Sequence, residues 1–128
     1  MKDNTFHLIS LGCAKNTVDS ASMGELLAEA GYRSVREARQ ARVLIVNTCG
    51  FIGPAREESL QALGELAEKK RPGQLLIAAG CLTQRYGAEV IRQVPGIDGI
   101  LGTRRWMDIV QVVDSLRQGT HPAPLYHL

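Results

Sequence analysis

The sequence predicts an α/β domain, a parallel sheet of four to five strands with helices on both faces, and three observations carry that expectation. Short apolar runs rich in β-branched residues alternate with stretches of helical period. Glycines, prolines and capping residues fall at the junctions between them. The 128 residues are enough for one domain with its own core.

The elements run in order along the chain. Phe6–Leu11 reads as a strand. Residues 17–32 read as a helix, with Thr17 as its cap, Asp19 in the first turn, an apolar face of Met23, Leu26, Leu27 and Ala30, and Gly31 as its stop. Ser34–Arg36 is a weak edge strand whose place in the sheet is open, because residues 36–42 are too few for a helical crossover. Arg42–Thr48 is a continuous β-branched run, as expected of a strand covered on both faces. The next helix has Pro54 near its start, Glu57 and Glu58 in its first turn and Lys69, Lys70 and Arg71 at its end, an order that suits the helix dipole. Leu60, Leu63, Leu66 and Ala67 form its stripe. Gln74–Ala79 is a second buried strand, Thr83 caps a helix running to Val94, and residues 98–101 form a short strand. Thr103 caps a last helix carrying Trp106, Ile109, Val110, Val113 and Leu116 and ending near Gly119. The tail "THPAPLYHL" has no helical period and reads as a linker outside the core. The expected organisation is a domain over residues 1–118 and a linker start over 119–128. Alternating strands and helices give a flavodoxin-like or Rossmann-like three-layer sandwich.

Composition narrows the function. A net charge of +2 gives no basic footprint for direct nucleic-acid binding, and aromatics at 5% leave no base-stacking platform. No apolar run has membrane-spanning length, so no membrane partner is expected. "MKDNTFHLIS" lacks the apolar stretch of a secretion signal, and the expected location is the cytoplasm. Three cysteines cannot all pair with one another, and disulfides are rare in a reducing compartment.

Those cysteines are the main chemical signal. Cys13, Cys49 and Cys81 each follow a strand and precede a helix, and they are 36 and 32 residues apart, about one βα unit each. In a parallel sheet the carboxyl ends lie along one edge, where α/β proteins place ligands. Helix N-termini favour thiolates there. Gly12, Gly50 and Gly80 flank the thiols and leave room for backbone to approach a bulky ligand. Three thiolates suit zinc with water in the fourth position, or an iron–sulfur cluster with one iron free of protein. The bland alternative is three unrelated buried thiols. Their repeated placement after strands argues against it.

The surrounding motifs carry a resemblance. "LGCAKNTVDS", "VNTCGFIGPAREES", "AAGCLTQRYG" and "PGIDGILGTRRW" resemble, in that order and over the chain to about Leu116, the N-terminal domain of the methylthiotransferases. In that family this domain precedes a radical S-adenosylmethionine (SAM) domain. Lys15–Asn16 and the Cys49–Ile52 run look like the RimO branch, which modifies an aspartate of a small-subunit ribosomal protein. The tRNA-modifying branch usually has another pair after the first cysteine and a basic residue soon after the second. Ala14 stands where proline is usual, and Ala21 where glutamate follows "VDS". The resemblance implies that Cys13, Cys49 and Cys81 ligate a 4Fe-4S cluster whose open iron carries the sulfur or methylthio group. It also implies a second 4Fe-4S cluster and SAM on a domain whose CxxxCxxC motif is absent here, so this chain alone would not turn over.

Other residues have competing explanations. Asn16, Asn47 and Thr48 can bond cluster sulfides or fix turns. Lys15 can meet substrate or SAM, or solvent. Arg85 and Tyr86 can line the crevice or simply pack. Arg104 and Arg105 fit an exposed helix start, and His7 its sheet neighbours. His121 and His127 receive no metal role, and Glu57 and Glu58 no catalytic one. A flavodoxin-like binding module with structural thiols is the reading from another class. It would need a phosphate loop after the first strand, where "LGCAKNT" stands instead.

Overall fold

A computed structural model describes residues 4–11, 14–48, 53–119 and 125–128, apart from the side chains of residues 14–16, 53–54 and 103–104. The strands are β1 (Thr5–Ser10), β2 (Arg33–Ser34), β3 (Val43–Thr48), β4 (Leu75–Gly80), β5 (Gly99–Gly102) and β6 (Leu125–His127). The helices are α1 (Ala14–Glu29), α2 (Gly53–Lys69), α3 (Cys81–Gln93) and α4 (Ile109–Gln118). All strand pairs are parallel, in the order β2-β1-β3-β4-β5-β6.

The alternation of side chains along each strand feeds two cores. On one face Phe6, Val43, Ile45, Ile77 and Leu101 pack with Met23 and Leu27 of α1 and Ile109, Val112 and Val113 of α4. On the other, Leu44, Val46, Leu76, Ala78 and Ile100 pack with Leu63 of α2 and Leu82 and Val90 of α3. The three-layer expectation holds. β3 is buried at every position, as its unbroken apolar run requires. None of the helices among the described residues is long and apolar enough to cross a membrane.

The chain turns one way from β1, through α1 to β2, and the other way from β3, through α2 to β4. The topological switch point therefore lies between β1 and β3, with α1 on one face of the sheet and α2 on the other. The open question of β2 also resolves. It pairs only with Thr5 and Phe6, at the foot of β1, so the chain needs only a short 3-10 turn (Ala38–Gln40) to pass under β1 and enter β3. The Thr5 hydroxyl holds that passage, accepting from the Arg42 N–H at 2.9 Å and lying 3.3 Å from the Gln40 carbonyl.

Several local expectations change. Thr17 is no cap, because α1 begins at Ala14, and Asp19 falls in its second turn. Ala30 is exposed and lies beyond the helix, which Gly31 ends at φ +96°. Glu57 and Glu58 fall in the second turn of α2, so they do not sit at its dipole end. A 3-10 stretch (Thr103–Asp108) with Gly102 at its cap position precedes α4, and Thr103 is not that cap. The sheet has six strands. Leu125–His127, in the expected linker, pairs with Gly99–Leu101, and Leu125 packs against the first core. His127 is tied down by Asp108, Nε2 to Oδ2 at 2.9 Å.

Candidate metal centre

The carboxyl edge of the sheet is built from residues that directly precede the cysteines. Ser10 is level with Asn47 in adjacent strands, and Thr48 with Gly80. Cys49 follows Thr48 and Cys81 follows Gly80, while Cys13 comes three residues after Ser10. Cys81 is half-buried and is the first residue of α3. Cys13 and Cys49, together with Gly12 and Gly50, lie outside the described residues. Among the described residues no three metal-ligating side chains converge, and only one of the three cysteines is within that set. The donor set fits a metal centre in its chemistry, three thiols, and in the strand ends that lead to them, which share one edge across the switch point.

The turn into α3 depends on Gly80. Its φ is +99°, and a Cβ there would lie 2.5 Å from both Asn47 Oδ1 and the Thr48 carbonyl oxygen. Gly80 therefore makes room for the end of β3, which differs from the expectation that it makes room for a ligand. Gly80 also occupies the helix-cap position assigned to Thr83. Thr83 is fully buried instead, with its hydroxyl 2.9 Å from both the Gly80 and Leu101 carbonyls, joining α3 to the ends of β4 and β5.

Asn47 is 2% exposed in a strand of apolar neighbours. Its Nδ2 donates to Ser20 Oγ of α1 at 3.0 Å, and its carbonyl accepts from the Leu11 N–H at 3.0 Å. Thr48 Oγ1 donates to the Ala79 carbonyl across the β3–β4 pair. Of the two readings open for these residues, fixing the turns has direct contacts behind it. Ser20 was not singled out from sequence. Its signal was a small polar residue on the helix face that also carries Met23 and Leu27.

Tyr86 packs rather than lining a crevice. It joins the second core, Arg56 of α2 lies 4.5 Å from its ring centroid, and the same guanidinium reaches Glu89 Oε1 at 2.9 Å. Arg85 is exposed. Gln84 Oε1 is buried against Gly102 at the end of β5, with no hydrogen-bond partner among the described residues. Lys15 and Asn16 lie in the first turn of α1, with side chains outside those described. His7 Nδ1 is 2.9 Å from the Val35 carbonyl, a contact with its sheet neighbour as expected. Arg105 is exposed, and His121 lies outside the described residues.

Against this geometry, the family model described as "Uncharacterized protein family UPF0004" matches residues 5–102. The chain belongs to this family. It is 50% identical over 113 residues to a protein of a Roseiflexus species named "Ribosomal protein uS12 methylthiotransferase RimO", covering 88% of this chain and 24% of that protein. A protein of the same name from Syntrophomonas wolfei is 50% identical over 87% of this chain and 26% of its own length. One from Chloroflexus aurantiacus is 49% identical over 91% and 26%. The chain thus spans about a quarter of the length of these relatives. The match to the family covers β1 to β5, the frame that carries all three cysteines.

Proposed function

We propose that this chain is the auxiliary-cluster domain of a radical SAM methylthiotransferase that modifies an aspartate of ribosomal protein uS12 in the cytoplasm. Cys13, Cys49 and Cys81 would ligate a 4Fe-4S cluster with one iron left open. The observation that carries this reading is the identity of about half to relatives named for that reaction, sustained over nearly nine-tenths of the chain. The alignment of strand ends ahead of the three thiols supports the ligand assignment.

When bound, the cluster supplies an open iron at which the sulfur or methylthio group is carried. The chain's own residues bind and orient. Cys81 is half-buried and is the first residue of α3, directly after β4 at the carboxyl edge. Gly80, Asn47 and Thr83 fix the turns around it. The cluster domain includes β6, which completes its sheet, and the radical domain would be a separate unit. SAM and the second 4Fe-4S cluster belong to sequence outside these 128 residues. The names of the relatives and the Lys15–Asn16 pair favour this substrate over the tRNA branch.

The test uses the full-length enzyme with SAM, reductant and uS12 under anaerobic conditions, read by mass spectrometry. The expected product is a methylthio group on one aspartate, lost in Cys81→Ala while SAM cleavage persists. Undiminished modification in Cys81→Ala, or modification of tRNA in place of uS12, would overturn the proposal.

A further inference from the structure

We infer that Asn47 is the positioning residue of the three-thiol site, holding in register the described segments that flank the cysteines before metal arrives. The inference rests on the metal-centre reading above and deepens it. A buried amide in an apolar strand is costly unless its hydrogen-bonding groups are satisfied, and an apolar residue would serve packing alone. Asn47 instead meets all three arms of the site. Its Nδ2 donates to Ser20 Oγ at 3.0 Å, and Ser20 is itself 7% exposed on α1, the helix that begins immediately after Cys13. Its carbonyl accepts from Leu11, two residues before Cys13. Its own strand ends at Thr48, the residue before Cys49 in the sequence. Its Oδ1 fills the space left by the missing Cβ of Gly80, the residue before Cys81.

This placement lies beside the switch point, where α1 and α2 leave the sheet on opposite faces and no continuous helix joins the arms. The backbone register aligns the strands. At the carboxyl edge the Asn47 side chain bonds α1 through Ser20 and lies against Gly80 at the β4–α3 turn. Groups that orient metal ligands contribute about 10- to 100-fold in metal affinity, and a group that orients the segments flanking them is expected to act in the same direction.

The experiment compares this chain with Asn47→Ala, Ser20→Ala and Ser20→Thr after anaerobic reconstitution with iron and sulfide. Iron retention against a chelator, the electron paramagnetic resonance spectrum of the reduced protein and the unfolding midpoint of the metal-free protein are recorded. Asn47→Ala and Ser20→Ala are expected to lose iron about 10-fold more readily or more, with an altered spectrum, beside a metal-free midpoint lowered by about 5–10 °C from the lost buried hydrogen bond. Ser20→Thr, which keeps the hydroxyl, is expected to restore retention and spectrum. Unchanged retention and spectrum in Ser20→Ala, with wild-type protein loaded, would overturn the positioning role and leave the cluster assignment standing. Failure of the wild-type chain to retain iron at all would overturn both. If Asn47→Ala does not fold, the Ser20 pair decides the matter.

Discussion

The two edges of the sheet solve the same problem with different residues. At the amino edge, polar side chains close loops, the buried Thr5 hydroxyl among them. Gln74 donates from Nε2 to the Ala38 and Ala41 carbonyls and accepts from the Arg71 N–H, while Asp98 takes both Lys70 Nζ and the Leu76 N–H. At the carboxyl edge Asn47, Thr48, Ser20 and Thr83 are buried around a glycine that admits no side chain, and Gln84 Oε1 is buried against Gly102. The amino-edge contacts close loops between the elements, and the carboxyl-edge contacts sit where β3 and β4 end and α3 begins.

That contrast can be broken experimentally. The largest effect is expected at Gly80→Ala, where positive φ and a 2.5 Å approach to Asn47 and Thr48 coincide. It should cost about 3 kcal/mol or more in urea unfolding, from backbone strain and overpacking together. Gln74→Ala, at the other edge, should cost about 2 kcal/mol by leaving buried carbonyls without donors. Its iron retention should match wild type, because the loops it closes lie at the opposite end of the strands. Loss of iron in that variant would remove the division between the edges. Gly64→Ala in α2 meets open space and should stabilise by about 0.5–1 kcal/mol, showing that the intolerance at Gly80 is local. The smallest effect is expected at His127→Ala, where the half-exposed pair with Asp108 holds β6. About 0.5 kcal/mol, with faster amide exchange confined to β6, is the expected result.

The division of the edges also explains what could be read from the sequence. β3 and β4 were legible because burial on both faces demands an unbroken apolar run, and "VLIV" and "LLIAA" are such runs. β6 was not legible. Three residues carry no period, and they are held by a neighbour reached only after α4 has crossed the sheet. Thr17 and Thr83 misled for a related reason. Capping chemistry places a hydroxyl outside the helix, whereas here the backbone turn ends earlier and the helices already run through both residues. The place of Cys81, directly after β4, was readable because it depends only on element order. The contacts of Asn47 with Ser20 and Gly80 join residues far apart in sequence, and single-sequence patterns do not report such pairs.

The central claim is that three strand-end thiols form one metal centre. Iron and acid-labile sulfide, measured per chain after anaerobic reconstitution and desalting, test it most directly. The account predicts about four of each in the wild-type chain, and near-complete loss in each of Cys13→Ala, Cys49→Ala and Cys81→Ala. Iron and sulfide retained at the wild-type level in any one of these variants would contradict it.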